Sequence, residues 1–211
     1  MREYMKTTIR AAVFANILLA VCSIEPLYSA EPPMTETIVV AGGCFWGMES
    51  VFDHTRGVIK VVAGYAGGSF NTAHYETVSS GDTGHAESVQ VTFDPQQVSL
   101  SQLLDIYFKV AHDPTELNYQ GPDHGTQYRS TVFYTTPEQL KEVETKITEL
   151  TAQHVFAQPI ITTLEPLKGF YPAEDYHQHY AELHPYNPYI LINDAPKVAN
   201  LEKQFPSLYV R

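Results

Sequence analysis

The stretch Thr37-Ile38-Val39-Val40-Ala41-Gly42-Gly43-Cys44-Phe45-Trp46-Gly47 sets the architecture of this chain. Its β-branched run reads as a strand, the glycine pair permits a sharp turn, and a helical pattern from Phe45 to Phe52 begins next to Cys44. The thiol is therefore expected at a helix N-terminus. Unpaired N–H groups and the macrodipole favour a thiolate there, by about 0.3–1 kcal/mol when exposed and up to ~2 kcal/mol when partly buried. Since about 1.4 kcal/mol moves a pKa by one pH unit, the thiol is expected to fall from about 8.5 toward neutrality. It would then be a competent nucleophile without a metal.

Working outward, Val58 to Ala63, Ser88 to Phe93, Ser130 to Tyr134 and Ile160 to Leu164 are further β-branched runs, which makes five expected strands. Helical patterns lie between them. One runs from Leu100 to Val110 behind Ser99 and Gln102, and one from Pro137 to about Leu150 behind Thr136 and Gln139. A fourth helix is expected from Ala173 to Leu183. Strands alternating with helices predict an α+β fold, a two-layer sandwich with a mixed sheet of the ferredoxin-like plait type. Residues 37–211 are read as a single domain. The loops Gly64 to Gly84 and His112 to Arg129 are too long to be mere connections, so function is expected on them.

The chain carries 13 Lys and Arg against 24 Asp and Glu, a formal charge of −11, and offers no basic stripe for a phosphate backbone. Nucleic acid is therefore not an expected partner. The 14 Tyr, 10 Phe and 9 His are the unusual feature, since rings with a polar edge suit both core packing and recognition of a small polarised substrate. Residues 1–30 read as an export leader: Arg2, Lys6 and Arg10 precede an apolar run from Ala11 to Val21, too short for a membrane span of about 20 residues. Leu19-Ala20-Val21-Cys22 resembles a lipoprotein box, so a soluble periplasmic protein and a lipid-anchored one are both open, with the membrane touched only through that leader. Without Cys22, Cys44 is the one cysteine of the domain and has no partner for an internal disulfide.

Gly43-Cys44-Phe45-Trp46-Gly47 is followed, in order, by Gly64-Tyr65-Ala66-Gly67-Gly68 and His74-Tyr75-Glu76, then by Gly81-Asp82-Thr83-Gly84-His85-Ala86-Glu87 and Asp123-His124-Gly125-Thr126-Gln127-Tyr128-Arg129-Ser130. In these blocks the chain resembles the A-type peptide methionine sulfoxide reductases over roughly Thr37 to Leu183. Such enzymes reverse the oxidation of methionine, one class for each sulfoxide epimer. The resemblance implies that Cys44 attacks the sulfur of a methionine S-sulfoxide, free or protein-bound, and ends as a sulfenic acid. It implies that Glu87 supplies the proton, that Tyr75 and Tyr128 hold the oxygen, that Phe45 and Trp46 form the methyl pocket, and that Asp123 contacts substrate. For Glu87 to carry a proton at neutral pH, burial must raise its pKa by roughly 2–3 pH units. Taken alone, Glu87 reads as a solvated carboxylate ahead of a strand.

Many such reductases carry resolving cysteines in a C-terminal tail, whereas His184 to Arg211 has none. The resemblance then implies no bound cofactor and regeneration by an external thiol, a small molecule or a thioredoxin-like protein. Repair of oxidised exported proteins would be the biological setting. No metal site is assigned. His85-Ala86-Glu87 lacks the downstream cysteine pair of a zinc deaminase, and His177, His179 and His184 are spaced to point to different faces of a helix. The alternative enzyme is a cysteine-dependent hydrolase with His85 or His124 as base. The alternative outside enzymology is an envelope binding module.

Overall fold

A computed structural model describes residues 34–211; the expected leader lies outside the described residues. Strand β1 (Glu36–Ala41) leads through Gly42-Gly43 into helix α1 (Phe45–Asp53). Strands β2 (Val58–Ala66) and β3 (Ala86–Phe93) follow, joined by a loop that holds the one-turn helix α2 (Tyr75–Val78). Helix α3 (Leu100–Ile106) continues as a π turn over Tyr107–Ala111. The hairpin β4 (Tyr119–Gln120) and β5 (Asp123–His124) precedes β6 (Thr131–Tyr134), α4 (Pro137–Ala152), β7 (Thr163–Pro166) and β8 (Phe170–Pro172). Helices α5 (Tyr180–Leu183) and α6 (Ala195–Gln204) come last. Six strands form one sheet in the order β7-β6-β1-β3-β2-β8, antiparallel except for the parallel β6–β7 pair. This is the expected mixed sheet covered by helices.

The two-residue period of a strand divides the core. Ile38 and Val40 of β1 join the main core with Phe45, Met48 and Phe52 of α1, while Val39 and Ala41 face a small second cluster with Ala66, Ala86 and Phe133. On β3 the main-core side carries Val89, Val91 and Phe93. The same alternation puts Glu87 at the head of that row. A carboxyl in that position is packed toward α1 instead of toward water, which corrects the reading of Glu87 as a solvated group ahead of a strand.

Helix starts follow their caps. The Ser99 hydroxyl accepts from the Gln102 N–H at 3.2 Å, and the Gln102 side chain accepts from the Ser99 N–H at 3.0 Å. Thr136 accepts from the Gln139 N–H at 3.2 Å, but the Gln139 amide turns to the sheet and donates to Thr37 O at 2.8 Å.

Three expected elements differ. The strand expected at Ile160 to Leu164 begins at Thr163, because the Ile161 N–H is taken by Pro114 O at 2.9 Å and pairing with β6 starts two residues later. The helix expected from Ala173 to Leu183 is a 3-10 turn, Asp175–His177, followed by α5. It breaks because the Gln178 side chain acts as a strand: its amide donates to Ala63 O and its carbonyl accepts from the Ala63 N–H, both at 3.0 Å. The helix expected to reach Val110 changes to π geometry after Ile106, where the His112 ring caps Tyr107 O at 2.9 Å.

Candidate active site

Cys44 occupies the N-cap position of α1, as its place after the glycine turn requires. Gly43 has φ +93°, a conformation that L side chains rarely adopt, and its N–H donates to Tyr128 O at 3.2 Å. That bond holds the Thr126–Tyr128 turn against the thiol. From the other side, the Phe45 N–H donates to Glu87 Oε2 at 3.1 Å, which ties the head of β3 to the first turn of α1. Two hydrogen bonds from the backbone on either side of Cys44 thus bring residues 44, 87 and 128 together.

The result is a recess of about 180 Å³. Cys44, Glu87, Tyr75 and Tyr128 line it, and so do Phe45, Trp46 and Asp123, so the seven residues that the resemblance implies for the reaction reach one place. Tyr189 lines it as well and was not anticipated. Its hydroxyl donates to Asp123 Oδ2, and its ring meets Trp46 edge-on at 5.9 Å and 84°. Tyr180 stacks on Trp46 at 3.8 Å and 12°, and the Trp46 Nε1–H donates to His177 Nδ1 at 3.1 Å. The indole is therefore fixed on three sides by the segment 177–189. With 14 tyrosines in the chain, only the aromatic density of Tyr180, Tyr186 and Tyr189 could have signalled this.

Electrostatics in the recess depart from one expectation and exceed another. Burial pushes the Cys44 thiol well above its usual range, with the Glu87 and Asp194 carboxylates adding to the effect. The Trp46 N–H and the Lys197 ammonium oppose it. The expected depression at the helix N-terminus is real in sign but smaller than desolvation, because Cys44 is only 9% exposed. Burial likewise pushes Glu87, 2% exposed, up to about 8; the Phe45 N–H pulls it down and Asp123 pushes it further up. At pH 7 this carboxyl is about nine-tenths protonated. Tyr75 and Tyr128 are held above the ordinary phenol range, first by burial and then by Glu87, so both hydroxyls keep their protons as donors.

Asp194 and Lys197 enter at the first turn of α1. Lys197 Nζ lies 3.3 Å from Asp194 Oδ1, and the pair sits where a side chain at residue 47 would be. Gly47 is thus required for the approach of α6.

The two imidazoles expected as a hydrolase base are engaged elsewhere. His85 accepts from the Gly68 N–H at 3.2 Å through Nδ1 and bonds Ser69 O at 2.9 Å through Nε2, so both ring nitrogens serve the long loop. His124 is exposed and stacked on Tyr119 at 5.4 Å. Neither is available to Cys44, so neither serves as the base expected for a cysteine hydrolase. His177, His179 and His184 do not converge either: the first meets Trp46, the second Asp53, and the third Tyr180.

A buried thiol beside a carboxyl that burial keeps protonated, between two phenols and an aromatic wall, is the arrangement that this site presents, and it is that of a thiol enzyme. The chain belongs to the peptide methionine sulfoxide reductase family, whose model matches residues 36–208. It is 54% identical over 177 residues to peptide methionine sulfoxide reductase MsrA 2 of Mesorhizobium japonicum, covering 84% of this chain and 91% of that protein. The MsrA 2 of a Synechocystis strain is 48% identical over 171 residues, 81% of this chain and 80% of that one. Among solved structures, reduced Mxr1 from Saccharomyces cerevisiae superposes with a TM-score of 0.68 at 36% identity, covering 74% of this chain and 90% of that one. Methionine sulfoxide reductase A of Corynebacterium diphtheriae gives 0.63 at 36% identity, covering 75% and 80%. The protein is a peptide methionine sulfoxide reductase and catalyses the reduction of methionine sulfoxide to methionine.

Proposed function

We propose that Cys44 takes the sulfoxide oxygen directly and that Glu87 supplies the proton for it. The carrying observation is the shared recess, in which a buried thiol and a carboxyl that titrates at about 8 meet between two phenols. The Cys44 sulfur attacks the sulfoxide sulfur while Tyr75 and Tyr128 donate hydrogen bonds to its oxygen. Glu87 gives its proton to that oxygen, and the thiol proton passes to the carboxylate left behind. The S–O bond to methionine breaks, methionine leaves as the sulfide, and Cys44 holds the oxygen as a sulfenic acid. One thiol proton entered and one hydroxyl proton remains, so Glu87 ends neutral, ready for the next turnover.

A neutral Glu87 also removes one of the charges that hold the Cys44 thiol up, so the acid and the nucleophile favour each other's working state. Phe45 and Trp46 bind the S-methyl group, where apolar area removed from water contributes about 25 cal/mol per Å². The fixed indole gives that wall its shape. With the acid on one side and the methyl wall on the other, the recess is chiral and suits one epimer over the other; the likeness to the MsrA relatives supports the S epimer as that substrate.

No second cysteine follows Cys44 in this sequence, which supports reduction of the sulfenic acid by two equivalents of external thiol, yielding water and a disulfide between them. A thioredoxin-like protein or a small thiol fills that role. The residues ahead of Met34 support an exported, periplasmic enzyme that repairs oxidised exported proteins. The β6-β1-β3-β2 core, antiparallel throughout, with α1 between β1 and β2 and α3 between β3 and β6 along the chain, supports a ferredoxin-like plait.

The test is a dithiothreitol-driven assay on the two separated sulfoxide epimers, with intact protein and Cys44→Ser. Turnover of the S epimer alone, abolished by serine, is expected. Turnover by the serine variant removes Cys44 from the chemistry.

A further inference from the structure

One group of ligating side chains takes no part in sulfoxide chemistry. Glu49 and Asp53 stand four residues apart on α1, on one face of the helix and toward its C-terminal end. His179 reaches them from the far side of the sequence. It has φ +53° between the 3-10 turn and α5, and this left-handed residue turns its ring toward α1. His179 Nδ1 lies 3.2 Å from Asp53 Oδ2 and 4.0 Å from Glu49 Oε1, and the three ligand atoms lie within 4.8 Å of one another. They border a hollow of about 30 Å³, with Glu182 on its rim.

Glu49 makes this more than a surface cluster. It is 1% exposed, and only one of its oxygens is satisfied: Oε2 accepts the His179 N–H at 2.8 Å, while Oε1 has no hydrogen-bond partner among the described residues. The His179 Nδ1, 4.0 Å from Oε1, is beyond hydrogen-bond reach. The neighbourhood is acidic: Asp53 and Glu182 both act on Glu49. His54, on the same helix, has its Nδ1 engaged with Ser50 O at 2.8 Å.

We propose that Glu49, Asp53 and His179 form a binding site for a divalent transition cation of the zinc type. Zinc bonds to imidazole nitrogen and carboxylate oxygen are about 2.0–2.2 Å, so neighbouring ligands of a tetrahedral ion stand about 3.4 Å apart. The separations of 3.2 and 4.0 Å straddle that value. A divalent ion would neutralise both carboxylates and give Glu49 Oε1 the partner it lacks. One imidazole with two carboxylates suits zinc and its neighbours, not calcium or magnesium, which take oxygen ligands. Glu182 or water completes the shell. The ion is structural: it clamps the last turn of α1 to the segment that carries His177 and Tyr180, the two rings that fix Trp46.

The test is calorimetric titration of chelator-treated protein with Zn²⁺, in a Cys44→Ser background so that the thiol does not compete, alongside Asp53→Asn and His179→Gln in the same background. One equivalent is expected, with affinity lowered at least about tenfold by either substitution while circular dichroism shows the fold intact. Zn²⁺ should also raise the Tm of the parent by more than that of either variant. Absence of stoichiometric binding overturns the proposal, as does binding that survives both substitutions or Ca²⁺ binding as tight as Zn²⁺.

Discussion

Replacing Glu87 by Gln keeps the shape of the side chain and an oxygen for the Phe45 N–H, but removes the transferable proton. The folded carboxyl titrates at about 8 against an ordinary value of 4.5. Between those values the native protein retains a proton that the unfolded chain has released. The stability this contributes is complete below about pH 4.5 and is lost as the pH rises through 8, at about 1.4 kcal/mol per pH unit, or about 5 kcal/mol in all. The Gln variant is neutral throughout and has no such loss. Urea unfolding of both proteins at pH about 5.5 and about 7.5 should therefore move the stability difference by about 2.5 kcal/mol in favour of Gln. Glu49, which burial pushes up to about 7, is common to both proteins and cancels. In the same variant, single-turnover sulfoxide reduction should slow by at least about tenfold. A stability difference that does not change with pH would mean that Glu87 is ionised in the folded protein, and its role as acid would fall with it.

Gly47→Ala should lower stability by about 1–3 kcal/mol in urea melts, because a Cβ there would run into the buried Asp194 carboxylate and lie 2.8 Å from Lys197 Nζ. A variant as stable as the parent would show that α6 is not anchored at this turn. Tyr189→Phe keeps the ring against Trp46 but leaves Asp123 without its phenolic donor, a loss of about 1 kcal/mol. The KM for a sulfoxide peptide should rise about fivefold with kcat nearly constant. An unchanged KM places Tyr189 outside substrate contact.

Strands β1 and β3 were readable because β-branched residues cluster there, and α3 and α4 because Ser99 and Thr136 announce them. The candidate site was readable because its residues fall in motif blocks, at the turn into α1, on two long loops and at the head of β3. The depth of the thiol was not. A helix N-terminus is local and visible in sequence, whereas the burial of the thiol and the charges of Asp194 and Lys197 beside it depend on segments distant in the chain, as does Tyr189 in the recess wall. Helix α6 had a signal that went unused, Asp194 followed by Pro196 in its first turn. The Glu49–His179 contact had none, since it joins residues 130 apart in the chain. The break at Gln178 was equally hidden, because a side chain that imitates a strand leaves no periodicity to read.

Direct transfer of oxygen to Cys44 is measured by mixing the fully reduced protein with one equivalent of methionine S-sulfoxide in the absence of any other reductant, then weighing its peptides. The result expected is one equivalent of methionine, one added oxygen on the peptide that contains Cys44, and no intramolecular disulfide. Methionine formed with the oxygen on another residue, or formed equally well by Cys44→Ser, would contradict it.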